Sequence, residues 1–335
     1  MYRIFLGAIC CLLSALAVHA QSPREKGLQS INRASAEAIV GFLADDALQG
    51  REAGTRDAQI AARYLVSCLQ EAGIAPLFEE GYYQPFEACA KERQQRNARW
   101  QVHPDSIAAL KQTTHRSLKM NNVLAFIPGE RSDEYVIVGA HFDHLGIDPT
   151  LENDPIYNGA DDNASGVSAV MQIARAFVAS GKKPLRNVIF AFWDGEEKGL
   201  LGSKHFVQSC PFREQIKGYL NFDMIGRNNK PEQPQHVVYF YTEAHPVFGD
   251  WLKQDIKRFG LNLQPDYRAW DRPVGGSDNA SFAVHDIPII WYHTDGHPDY
   301  HQPSDHADRL NWEKVVDITK ASFLNVWNLA NEKEY

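Results

Sequence analysis

Apolar residues change their spacing along this chain, and the changes divide it into parts. In "SAEAIVGFLAD" and "TRDAQIAARYLVSCLQEAGI" they recur every three to four positions, as on one buried face of a helix. Thr55 stands where an N-cap belongs and Gly73 where the second helix should stop. Between residues 86 and 119 the chain is charged and holds no sustained period, which predicts an irregular insertion. A rhythm then begins. The apolar runs "NVLAFI", "EYVIVGAHFD", "NVIFAFWD", "GYLNFDMI", "HVVYFYT" and "IPIIWYHT" read as strands. Between them "SGVSAVMQIARAFVAS", "SKHFVQSC", "HPVFGDWLKQDIKRFG" and the closing "WEKVVDITKASFLNVWNLANE" read as helices. Strands apolar on both faces that alternate with helices predict an α/β fold: a mixed, mostly parallel β-sheet flanked by helices on both faces, in a single domain over residues 21–335.

The N-terminus adds a location. One early arginine precedes an uninterrupted apolar run, then "VHA" and a polar stretch, the layout of a signal peptide over residues 1–20 cleaved after Ala20. The run is short for a membrane span, so the expectation is a secreted or periplasmic protein with no membrane insertion after cleavage. Of the 5 cysteines, Cys10 and Cys11 lie in that segment. Cys68, Cys89 and Cys210 remain, without C-x-x-C spacing, which excludes a cysteine zinc site and leaves any single bridge among them open. A net charge of −8 with no basic run excludes nucleic acid as a partner.

Open α/β sheets bind ligands beyond the carboxyl ends of their strands. Here those ends carry unusual side chains. "EYVIVGA" runs into His141 and Asp143, whose spacing of two puts both on one face of an extended chain. Asp161 and Asp162 sit where the helix of "NGADDNASGVSAV" begins. An EF-hand reading of that loop fails, because Gln172 occupies the position that needs an acid. Glu196 and Glu197 follow "FAFWDG", Asp223 ends an apolar strand, and "PDYHQPSD" supplies Tyr300 and His301. Taken singly, each has an ordinary explanation as a turn, a cap or a satisfied histidine. Together they gather repelling carboxylates in one place, which requires a cation, and the mixed nitrogen and oxygen donors suit Zn²⁺.

The motifs "AHFDHLG", "NGADDNASG", "FWDGEEKGLLGS", "NFDMIGR", "GGSDNASF" and "YHQPSD" resemble, in order and spacing, those of the co-catalytic di-zinc aminopeptidases. This is peptidase family M28, which includes bacterial leucyl aminopeptidases, glutamate carboxypeptidase and glutaminyl cyclase. The resemblance covers roughly residues 121–328, and "LQGREAGT" upstream is similar to the family's N-terminal stretch. It implies two zinc ions per chain. His141 and Asp223 would hold one and Glu197 and His301 the other, with Asp162, rather than Asp161, spanning both. Asp143 would orient His141, Glu196 would be the general base toward a two-zinc-activated water, and Tyr300 would donate to the oxyanion. Asp278 in "GGSDNASF" matches a family motif without a role attached. The implied reaction is hydrolysis of N-terminal residues from peptides with a free N-terminus.

Two other readings share these residues. A glutaminyl cyclase would use the same glutamate pair to form N-terminal pyroglutamate, and "FWDGEE" fits either chemistry. A non-catalytic ectodomain could keep the fold for binding, but all five metal-ligand positions are intact, which argues against it. A serine hydrolase finds no G-x-S-x-G elbow.

Overall fold

The computed structural model describes residues 21–92, 98–228, 230–270 and 275–335, so the expected signal peptide lies outside the described residues. Its strands are β1 (Ala75–Pro76), β2 (Tyr83–Lys91), β3 (His115–Ile127), β4 (Arg131–His141), β5 (Gly146–Ile147), β6 (Ile156–Tyr157), β7 (Arg186–Trp193), β8 (Ile216–Phe222), β9 (His236–Tyr241), β10 (Gln264–Ala269) and β11 (Ile289–His293). The helices are α1 (Pro23–Ser30), α2 (Arg33–Leu43), α3 (Arg56–Glu71), α4 (Pro104–Leu110), α5 (Gly166–Ser180), α6 (Leu201–Ser209), α7 (Val247–Phe259), α8 (Asn279–Ala283) and α9 (Trp312–Asn331). Nine strands form one mixed sheet in the order β1-β3-β7-β4-β8-β11-β9-β10, with β2 paired to β3. Its centre, β7-β4-β8-β11, is parallel throughout, while β3 against β7 and β9 against β11 run antiparallel.

Alternation along the central strands divides the core into two layers, because successive side chains point to opposite faces. Val136, Val138, Phe190, Phe192 and Leu220 belong to the layer beneath α2, α3, α5 and α9. Ile137, Ile189, Ala191, Trp193 and Tyr219 belong to the other, beneath α6 and α8. Helices therefore cover both faces, and every residue of β7 is buried. Thr55 does cap α3, accepting from the Ala58 N–H at 3.3 Å. Gly73 just beyond that helix has φ 70°, where a side chain would be strained.

The stretch 86–119 differs from its sequence reading. Tyr83–Lys91 pairs residue for residue with His115–Val123, and α4 lies between the two strands. The pairing hides in the sequence because exposed faces carry Glu87, Lys91 and Lys119, so period-2 apolarity is diluted by charge. The edge strand β10 also escapes a hydrophobicity reading, being half-buried and polar. Cys68, Cys89 and Cys210 are all free thiols. Among the described residues no helix is long and apolar enough to cross a membrane.

Trp193 ends β7 directly beneath the loop of the glutamate pair. It is fully buried, donates its indole N–H to the Tyr219 hydroxyl at 2.9 Å and packs on Phe206 and Phe282. Trp193→Ala is expected to lose about 3–5 kcal/mol of stability, from lost burial and the cavity left behind. Urea unfolding of the variant against the parent measures it, and a loss under 1 kcal/mol would contradict this account of the core.

Candidate active site

Because β4, β7, β8 and β11 are parallel, their carboxyl ends emerge together on one edge of the sheet. His141 is the last residue of β4, the glutamate pair follows β7, Asp223 follows β8, and the loop after β11 carries Tyr300 and His301. Asp162 arrives from the turn that opens α5. All five expected metal-binding residues meet there. His141 Nε2 lies 3.2 Å from Asp162 Oδ1 and 3.8 Å from Asp223 Oδ2. His301 Nε2 lies 3.2 Å from Asp162 Oδ2 and 3.2 Å from Glu197 Oε2. Asp162 thus stands between two pairs of donors, presenting one oxygen to each.

The donor chemistry fits a cation. His141 Nδ1 lies 3.2 Å from the main-chain carbonyl of Asp143, which can only accept, so Nδ1 carries the proton. Nε2 then aims its lone pair at the carboxylates, and among the described residues this buried atom has no hydrogen-bond partner. Lone pairs facing each other at such distances repel unless a positive charge lies between them. Ligand atoms of His141, Asp162 and Glu197 fall within 4.8 Å of one another, as do those of His141, Glu196 and Asp223. Either set could hold a metal ion.

Asp143 faces His141 Nδ1 with both its main-chain carbonyl, at 3.2 Å, and, farther off, its carboxylate. That carboxylate oxygen is 3.7 Å from His141 Nδ1 and also accepts the Glu196 N–H at 3.0 Å. The chain turns away immediately after β4, which swings the buried side chain toward the β7 loop. Tyr300 lines a cleft of about 230 Å³ together with Glu196, Asp223, Met224, Trp291 and His301. Its ring stacks on His301 with centroids 3.9 Å apart, and its hydroxyl is raised by partial burial and the neighbouring carboxylates. Glu197 does not line that cleft.

The two adjacent glutamates sit in opposite environments. Burial raises the Glu196 carboxyl well above its ordinary range; His141 opposes this, and Asp223, Glu197 and Asp278 add to it. Burial and Asp162 also push Glu197 upward, but the rings of His144 and His301 outweigh them and bring it down to about 2. A pair of acids driven apart in this way is how one site obtains two different roles.

Several residues that position the site were not read from the sequence. His144 is fully buried and donates from Nδ1 to Glu197 Oε1 at 2.7 Å, leaving Oε2 toward His301. Its motif was visible, but a spacing of three from His141 places it on the opposite face of an extended chain, and only the turn brings it back. Asp305 accepts from the main-chain N–H groups of Asp161 and Asp162 at 3.0–3.1 Å. Asp161 is occupied structurally, accepting the Gly226 N–H at 2.6 Å. Arg51, buried completely, donates to the carbonyls of Leu43, Phe142, Asn158, Gly159 and Asp162, tying three loops together under the site. Gly159 has φ 58°, and a Cβ there would collide with the Asp162 carbonyl and the His144 ring. That turn requires glycine.

The sequence pattern of peptidase family M28 matches residues 122–325. Leupeptin-inactivating enzyme 1 of Streptomyces exfoliatus is 32% identical over 170 residues, 50% of this chain but only 34% of that protein. The chain therefore spans about a third of this curated relative. Among solved structures, the LapA aminopeptidase of Legionella pneumophila aligns with a TM-score of 0.69 and 22% identity, covering 100% of this chain and 81% of that one. A glutaminyl cyclase of Fimbriiglobus ruber aligns at 0.65 with 17% identity, covering 89% of this chain and 95% of its own, so the fold is shared by both chemistries. The matched pattern covers well over half of the chain, and the chain belongs to peptidase family M28.

Proposed function

We propose that this chain is an exported zinc-dependent aminopeptidase that removes N-terminal residues from peptides with a free amino terminus. The observation that carries this reading is the arrangement around Asp162: one oxygen faces His141 and Asp223's side, the other faces Glu197 and His301. Those two donor sets would hold two zinc ions. When bound, zinc supplies Lewis-acid polarisation of the scissile carbonyl and acidifies water. Glu196 lines the cleft and accepts the proton as water oxygen bonds to the carbonyl carbon. It returns that proton to the nitrogen of the departing peptide as the C–N bond breaks. Tyr300, on the cleft wall, donates a hydrogen bond to the oxygen that gains charge. His144 holds one oxygen of Glu197 and so leaves the other free for metal. Export rests on the apolar run before Ala20; native protein that retains Met1 would count against it.

Because Glu196 also lies near His141 and Asp223, the division between the glutamates needs a direct test. Glu196→Gln is expected to keep two zinc ions per chain and to lower kcat at least ~10²-fold, the scale of lost acid–base catalysis. Glu197→Gln and His144→Ala are expected to weaken zinc binding ~10–100-fold, as losses of a ligand and of its support do. Metal analysis after dialysis beside steady-state kinetics separates them; exchanged phenotypes for the two glutamates would reverse their roles.

Cyclisation is the second reading, supported by the shared fold with a glutaminyl cyclase. Hydrolysis is favoured by the completeness of the His141 and Asp223 side of the site. Leucyl and glutaminyl peptides are expected to lose their first residue, and N-acetylation to abolish cleavage. Loss of ammonia from the glutaminyl peptide, with the leucyl peptide intact by mass spectrometry, would establish the cyclase instead.

A further inference from the structure

A second cleft, of about 270 Å³, lies beside the start of α9 and is lined by Arg227, Arg309 and Lys314 together with Gly226, Asn228 and Asn311. No carboxylate is among its described lining residues. One acid outside the lining, Asp299, takes Arg227 Nη2 and Arg309 Nη1, each at 2.7 Å. That leaves Arg227 Nη1 buried and without a hydrogen-bond partner among the described residues. Lys314 is only 3% exposed, and among the described residues its ammonium has one hydrogen bond, a long one of 3.4 Å to the Arg227 carbonyl. Burial lowers Lys314 to about 8, with Asp161 and Asp295 opposing. A buried ammonium and a buried guanidinium N–H, both short of acceptors, are costly unless something negative satisfies them.

We propose that this cleft binds a free inorganic oxyanion of the sulfate or phosphate class, held by Lys314, Arg227 and Arg309, the three cations that line it. The chemistry is charge-assisted hydrogen bonding from planar guanidinium and ammonium donors to a tetrahedral anion. The cleft is separate from the metal-binding cleft but mechanically linked to it. Asp299, clamped by two of the same cations, lies two residues before His301, and Gly226 donates to Asp161 beside Asp162. An anion there braces the loops that carry both residues.

The probe is sulfate, chosen because it competes weakly for zinc, added to the zinc-loaded full chain with sodium chloride at matched ionic strength as control. The expected result is a saturable rise in the unfolding midpoint beyond the chloride control, with sulfate affinity about tenfold weaker in each of Lys314→Met and Arg309→Gln, the loss of one charge-assisted contact. Both variants are expected to fold, since methionine removes a buried charge and Arg309 is half-exposed. No saturable response in the parent, or a response undiminished in either variant, overturns the proposal.

Discussion

Asp162 is buried among groups that cannot share the same space without a counter-charge. Its two oxygens face His141 and His301 at 3.2 Å each, while Asp223 and Glu197 crowd the same two imidazoles. Like charges this close in a low-dielectric pocket repel strongly unless a cation intervenes. Much of the surrounding structure can be understood as the means of holding that unfavourable arrangement in place.

The means are mostly backbone. Parallel pairing of β4, β7, β8 and β11 delivers four loops to one edge, which no antiparallel order of the same strands would do. Arg51 then ties the loops after β4 and before α5 by their carbonyls, and Asp305 takes the N–H groups of Asp161 and Asp162. A buried guanidinium making several main-chain bonds is a large commitment, because removing it would leave each carbonyl unsatisfied. Burial lowers Arg51 to about 10, opposed by the charges of Asp162, Asp143, Asp305 and Glu197, so the cation beneath the site is itself supported by the acids above it.

Against this rigid base the two glutamates diverge. They are neighbours in sequence, yet one lines the cleft with its carboxyl raised by burial, while the other is gripped by His144 and lowered. Asp143 contributes to the division by accepting the Glu196 N–H, which fixes where the turn begins. The difference between them is therefore one of surroundings.

What the sequence by itself determined was what repeats or stands out locally. Continuous apolar runs specified the central strands, 3.6-residue spacing specified α3, α5, α7 and α9, and acids or histidines at run ends marked His141, Asp143, Asp161, Asp162, Glu196, Glu197, Asp223 and His301, while the choice of Asp162 over Asp161 and the role of Tyr300 came from the family resemblance. Each of these signals survives in a single chain because it depends on neighbours in sequence. What only the tertiary structure decided depends on neighbours in space. The pairing of β2 with β3 rests on a partner more than twenty residues away, and its charged exposed face conceals it. His144 reaches Glu197 across 53 residues, and Arg51 reaches Asp162 across 111, through turns whose direction no local pattern encodes. Burial turns an arginine in "LQGREAGT" from an ordinary surface charge into a tie between loops, and burial is a property of the assembled chain.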